Sequence, residues 1–308
     1  MAKILASTFN AVRNKVAYVI GTPSTITYDL GYNLSPASYI VEQGGKVYGQ
    51  DFNQVLADVN TCLDHQAATT SPLALLEGGK LISSIDLSNL STAVDAVYSA
   101  RNNVGPNKLS VVTSHSVSIS PPPPDYWGSY ITHRVRFNWG SQGDFRGWLN
   151  LGGFISIGQS LSGGSGTPQD ISWTNHLAGG GNIVLAAVGA FQNNNSRSGT
   201  FPNGGIYNLI ANGQIGANAG VAFRMAQSQD LTYSSNYYRI MLNPFPSGAT
   251  VFDATGFELE FQLRDDYVPG GTTNRPDKVT GAVNISVATY YSLGKTPSSV
   301  VETSTVYG

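Results

Sequence analysis

Acid–base chemistry needs two carboxyl groups held on one side of a rigid element, and one place in this chain offers them. Glu258 and Glu260 stand two apart in Phe257-Glu258-Leu259-Glu260-Phe261, so a strand there puts both on the same face. A pair so placed is the raw material of a glycosidase acid and base. The same alternation sets Phe257, Leu259, Phe261 and Leu263 on the opposite face, which makes the glutamates the solvent side of a half-buried strand. Asp265-Asp266 follow and, with nearby carbonyls, could hold Ca²⁺. A solvated strand end accounts for them without an ion.

The other reactive residue types are scattered. The four histidines, His65, His115, His133 and His176, have no metal-ligand spacing. His133 alternates with Val135 and Phe137 and reads as a hydrogen-bonded core histidine. His65 follows Asp64 at a helix end, where a cation suits the dipole. Cys62 is the single cysteine, so an internal disulfide is excluded; it falls on a helical stretch and reads as a small buried apolar residue. Gly152-Gly153 and Gly179-Gly180-Gly181 border strands with no Lys-Ser/Thr phosphate signature, and no Gly-x-Ser-x-Gly elbow occurs. The expectation is no catalytic residue, no metal and no cofactor. Tyr126-Trp127, Trp139, Trp148, Tyr237-Tyr238 and Tyr290-Tyr291 could stack on sugars, although alternating strands assign most of them to a core or a subunit interface first.

The elements that would carry these residues divide the chain in two. Residues 1–103 are helical in period and residues 108–308 are β, with the turn-like Asn102-Asn103-Val104-Gly105-Pro106-Asn107 between them. The helical part contains an internal repeat: Thr8-Phe9-Asn10-Ala11-Val12-Arg13-Asn14-Lys15-Val16 matches Asp51-Phe52-Asn53-Gln54-Val55-Leu56-Ala57-Asp58-Val59. A weaker third copy runs from Gly78-Gly79-Lys80, echoing Gly44-Gly45-Lys46, into Leu87-Ser88-Asn89-Leu90. Each copy sets apolar residues at i, i+3 and i+7, one helical stripe that cannot be buried alone, so three helices should pack together. Ser7 and Ser83 or Ser84 are the expected N-caps, and Val59, Leu73, Leu76, Val94 and Tyr98 the expected core.

Beyond residue 108 many short strands separated by Gly, Asn and Pro predict an antiparallel β-sandwich of the jelly-roll kind. Strands are expected around 111–119, 131–139, 152–159, 181–191, 206–210, 219–226, 237–243, 257–263 and 283–293, with a short helix near 171–177. Pro121–Pro124 is expected to be a stiff spacer, with a ligand for an aromatic groove as the alternative; 192–199 is expected to be a polar loop, and the tail from Thr296 could add Val300, Val301 and Val306 to a neighbouring subunit as a strand.

Composition narrows the function class. Charged residues are 12% of 308, against an ordinary share of about a quarter. Surfaces covered by neighbouring subunits can dispense with Lys, Glu and Asp, so the deficit favours a part of an assembly, expected to be a homo-oligomer. A net charge of −2 speaks against nucleic acid. No stretch has the apolar length to span a bilayer, and the N-terminus lacks a signal peptide's pattern.

Several short motifs resemble a family of virion structural proteins of contractile-tailed cyanophages. They are Ile4-x-x-Ser7-x-Phe9-Asn10-x-Val12-Arg13-x-Lys15-Val16, Val19-Ile20-Gly21, Gly31-Tyr32, Gly45-Lys46-Val47-Tyr48, Phe52-Asn53-x-Val55 and His65-Gln66. In the second half they are Asp144-Phe145-Arg146-Gly147-Trp148, matched to a strand of the family, then Glu260-Phe261-Gln262-Leu263-Arg264-Asp265-Asp266 and Val279-Thr280-Gly281. The resemblance implies a non-enzymatic particle component, made in the host cytoplasm and carried in the virion, with other virion proteins as partners and no catalytic residues. Tail, neck or baseplate is the expected position; capsid decoration and a tail module binding host-surface glycans are the alternatives. The interface candidates are Phe9, Asn10, Phe52, Asn53, Trp127, Trp148, Val300 and Val301.

Overall fold

The computed structural model describes residues 4–24, 30–121, 126–187, 206–211, 221–227, 232–267 and 278–307. The proline run after Pro121, the loop at 192–199 and the ends of the strands expected at 181–191 and 219–226 lie outside these residues. The chain separates into two compact units. Unit 1 comprises Met1–Ser110, Arg146–Gly153 and Tyr291–Lys295; unit 2 comprises Val111–Phe145, Phe154–Tyr290 and Thr296–Gly308.

Unit 1 is built on helices α1 (Ala6–Ile20), α2 (Gly49–Ala67) and α3 (Ser84–Ser99). Their stripes meet in one cluster that contains Phe9, Val16, Phe52, Val55, Val59, Cys62, Leu90, Val94 and Val97, with Leu73, Leu76 and Tyr98 packed at its margin. Ser83 caps α3, its hydroxyl accepting from Asp86 N while Asp86 accepts from Ser83 N. Ser7 is no cap: α1 begins at Ala6 behind Leu5, which makes no side-chain cap. Gly49 opens α2 where only a hydrogen fits, because a Cβ there would sit 2.1 Å from the Glu77 carbonyl oxygen.

The shared Phe-Asn pair has a mechanical explanation in unit 1. Phe9 and Phe52 are buried in the cluster, and the adjacent amide grips a later stretch of backbone at two points. Asn10 donates to Val41 O (2.8 Å) and accepts from Val41 N (3.0 Å); Asn53 donates to Leu76 O (2.8 Å) and accepts from Leu76 N (2.9 Å). Both gripped residues stand just before a Gly-Gly-Lys turn, and the two post-turn stretches meet in an antiparallel bridge between Tyr48 and Leu81. An alanine at Asn10 or Asn53 strips two bonds and leaves a partly buried N–H and C=O unmatched. Each is expected to cost about 2–3 kcal/mol in urea unfolding. Asn89→Ala, on the exposed side of α3, should stay within about 0.5 kcal/mol.

Unit 2 is a sandwich-like pair of antiparallel sheets. Its strands are β1 (Ser110–Ile119), β2 (Tyr130–Asn138), β3 (Phe154–Ser162), β4 (Ile183–Ala186), β5 (Val221–Ala226), β6 (Tyr237–Phe245), β7 (Gly256–Arg264), β8 (Ala282–Tyr291) and β9 (Ser299–Tyr307). One sheet has the order β1-β8-β3-β4 and the other β5-β6-β7-β2-β9. Period-two alternation puts Ile131, Val135, Phe137, Phe257, Leu259, Phe261, Leu263, Val283, Ile285 and Val287 inside, all buried.

Among the described residues three further helices occur: α4 (Gln142–Asn150), α5 (Pro168–Gly180) and α6 (Ile206–Ala211). The helix expected near 171–177 is α5. Two segments expected as strands are helical. Residues 206–210 fall in α6, where Ile206, Leu209 and Ile210 satisfy helical spacing and are buried. Asp144–Trp148, matched above to a family strand, lies inside α4, which Ser141 starts by exchanging bonds with Asp144: Ser141 Oγ donates to Asp144 Oδ2, and Asp144 N donates to Ser141 Oγ. Among the described residues no helix is long and apolar enough to cross a membrane.

Candidate functional site

Unit 2 gathers its most chemically capable side chains where β1, an edge of one sheet, faces β2 and β9 of the other. His133 on β2 is completely buried, opposite Thr305 of β9 in register. Its Nε2 lies 2.9 Å from His115 Nε2 on β1, with the two rings stacked at an 18° interplanar angle. Its Nδ1 lies 2.9 Å from Thr305 Oγ1, and that hydroxyl is 3.0 Å from Glu302 Oε1.

The proton positions follow from what each atom can do. The Glu302 carboxylate only accepts, so the Thr305 hydroxyl spends its one proton there. Thr305 Oγ1 therefore accepts from His133 Nδ1–H. Neutral His133 then presents a lone pair at Nε2, and His115 supplies the Nε2–H that meets it. Burial, followed by the neighbouring His115, pulls the His133 imidazole down to about 4; burial also lowers His115, against the pull of Glu302. At neutral pH the arrangement is a chain of directed donors from β1 through β2 to the carboxylate on β9.

The glutamates singled out by sequence have a different part. They share the face of the five-stranded sheet away from Phe257, Leu259, Phe261 and Leu263, each directly opposite an arginine of β2: Glu260 opposite Arg134 (Nε–Oε2 2.7 Å) and Glu258 opposite Arg136 (3.2 Å); that face is not open to solvent as expected, since neighbouring side chains bury Glu260. Around them Arg239 bonds Gln262, Arg224 and Arg239 lie over the Tyr237 ring, and Arg264 lies over Tyr130. Asp265 accepts from Gln169, and Asp266 lies 3.5 Å from Arg264. Arg134–Glu260, Arg136–Glu258, Arg239–Gln262, Arg224–Tyr237 and Arg264–Tyr130 cross between neighbouring strands and hold them in register, whereas Arg264–Asp266 lies along one strand end and Asp265–Gln169 joins that end to α5.

The remaining sequence candidates divide by exposure. Phe9, Phe52, Trp127 and Trp148 are core residues, the two indoles only 1% and 0% exposed, so none can meet a partner or a sugar. Trp127 packs on Trp173 of α5 with ring centres 5.2 Å apart. Asn10 and Asn53 are occupied by their backbone grips. Val300 is half-buried beside Phe137, whereas Val301 is 51% exposed. His65 is no helix-end cation: it is buried in unit 1 with Nδ1 3.1 Å from Ser292 Oγ, and burial brings it to about 4. Cys62 is enclosed and its thiol is pushed up to about 12 by burial.

His115 and Glu302 were not among the residues picked out by spacing. The available signal was parity: His115 shares a strand face with Val117 and Ile119, as His133 does with Val135 and Phe137. Two histidines on inward faces of different strands can meet, and sequence distance hides it. No protein-family model, curated protein or solved structure matches this chain.

Proposed function

We propose that this chain is a non-enzymatic structural subunit of a contractile-tailed phage virion, placed in the tail, neck or baseplate, and that it associates with copies of itself and with other virion proteins. The observation that carries the reading is β9. Among the described residues it forms the outer edge of the five-stranded sheet, nine residues long, with Val301, Val306 and Tyr307 exposed. A long edge with exposed β-branched residues invites another strand, and free monomers blunt such edges with charge. This edge carries one glutamate and no lysine or arginine. Unit 1 adds exposed Leu75, Ile85, Ile40 and Tyr18, in a chain with little charge to keep it apart from its neighbours.

Two finer features accord with this reading. Unit 1 is a tandem of helix, returning segment and Gly-Gly-Lys turn, the asparagine grip recurring in the first two copies. The neighbours β1–β8, β8–β3 and β2–β7 are those a jelly roll brings together, with β3–β4 and β5–β6–β7 as local meanders in place of its middle crossing. Both are assembly architectures, and the resemblance in the short motifs points to the particle.

Light scattering behind size exclusion tests the association. The wild-type chain should elute as a discrete oligomer, and Val301→Lys with Val306→Lys, on the exposed edge, should release folded monomer. A wild-type chain that stays monomeric at high concentration would sink the proposal. A particle reconstruction that locates the chain tests the virion assignment and separates tail from head.

A further inference from the structure

We propose that His115, His133 and Glu302 form a binding site for one divalent transition-metal ion of the nitrogen-preferring class, Zn²⁺ or its neighbours Ni²⁺ and Cu²⁺, which staples the edge strands β1 and β9 to β2. One ligand atom from each of the three residues lies within 4.8 Å of the others. All three residues are in unit 2, on three strands and both sheets.

The spacing of the imidazoles, set here by their hydrogen bond, also suits a shared ion. Two nitrogens bound to one metal at about 2.05 Å stand about 2.9 Å apart at a right angle and about 3.3 Å apart in a tetrahedron. The Nε2 atoms here are 2.9 Å apart. A tetragonal ion needs no change in that separation, and a tetrahedral one needs a few tenths of an ångström. The rings must turn so that both lone pairs aim at a common point instead of one N–H aiming at the other nitrogen. With His133 fixed, half-exposed His115 must swing its Nε2 off the line of the present hydrogen bond to leave room for the ion.

His133 is already prepared as a ligand. Its Nδ1–H is held by Thr305, whose hydroxyl is held by Glu302, leaving the lone pair at Nε2. A metal-binding histidine is ordinarily oriented by such a bond from its other nitrogen. On binding, His115 gives up its Nε2 proton and takes one at Nδ1 from water, so two neutral imidazoles and one carboxylate face the ion with no net proton released. Glu302 sits on an exposed edge, and a rotation of its side chain brings an oxygen to the ion, with water completing the shell. Nitrogen donors exclude Ca²⁺ and Mg²⁺ as preferred occupants.

The site stands independently of the assembly reading and is tested on the full chain, without a histidine tag, after chelator treatment. Titration calorimetry with Zn²⁺ should show one saturable equivalent, a raised melting temperature, and, with Co²⁺, visible d–d absorption. His115→Ala, at a half-exposed position, should weaken Zn²⁺ binding at least 100-fold; Thr305→Val should weaken it about 10- to 100-fold while keeping all three ligands. Absence of saturable Zn²⁺ uptake by the wild-type chain, or equal uptake by His115→Ala, overturns the proposal. Because the readout is uptake and not assembly, a chain that binds Zn²⁺ as a monomer upholds this site and counts only against self-association.

Discussion

Trp148→Ala is expected to lower the unfolding free energy by about 3–5 kcal/mol, the cost of emptying a fully enclosed aromatic site. The indole lies against Gly153 so closely that a Cβ on that glycine would come within 2.3 Å of Nε1. On that side the wall is backbone, which cannot rearrange to fill the void as a side chain could. Trp127→Ala, which strips the ring from Trp173, should fall in the same range. Urea midpoints for the two variants measure this directly. Both tryptophans were attractive as sugar platforms, and the expected result separates the ideas: stability falls steeply, and glycan affinity does not change for any variant fraction that remains folded. A Trp148→Ala chain losing less than about 1 kcal/mol would contradict its placement in a packed core.

Acid should destabilise the chain well before its carboxylates protonate. His65 and His176 are each pulled to about 4 by burial, from an ordinary 6.5. His176 Nε2 lies 3.1 Å from the Met225 carbonyl, so that nitrogen keeps its hydrogen; burial keeps the ring neutral, against the opposing pull of that carbonyl. The sign follows from which state takes the proton first. Below about 6.5 the unfolded chain binds a proton at each histidine and the folded chain does not, so stability present at neutral pH is lost as pH falls from about 6.5 to about 4. Below that both states are protonated and these sites contribute no further loss. At pH 4.5 each site should have removed roughly 2.5 kcal/mol relative to pH 7.5. Urea unfolding at the two pH values, with His65→Gln and His176→Gln as references, checks this: each variant should show a shallower pH dependence than the parent chain.

How much of this was legible without coordinates depended on whether a signal was local. The alternation in β2 and β7 was readable because each residue of Ile131–Trp139 and Phe257–Leu263 reports its own side of a sheet. The cap at Ser83 and the enclosure of Cys62 were readable for the same reason. Ile206–Ile210 misled because five residues rich in apolar side chains fit a buried strand as well as a helical turn. Asp144–Trp148 misled through a family analogy, although Ser141-x-x-Asp144 is a helix-start signature sitting in plain view. The asparagine grips were half visible: the repeated Phe-Asn could be seen, but its partners Val41 and Leu76 lie 31 and 23 residues away. The His115–His133–Glu302 cluster was hidden altogether, since strand parity says which side a residue faces and not which strand will arrive opposite.

The order of strands also sets a timetable. The grips of unit 1 close loops of a few tens of residues, whereas Arg134 must wait for Glu260, 126 residues on, and His133 for Thr305, 172 residues on. Contacts so distant along the chain make for slow folding, because the entropy of closing long loops is spent before any ladder forms. Until β7 and β9 come home, β2 is a ribbon with one largely apolar face and both flanks open, the state in which chains of this kind stick to one another. A cell making many copies therefore meets its greatest hazard in the seconds before each sheet closes, and it is there that slower synthesis or a chaperone would most raise the yield of sound molecules.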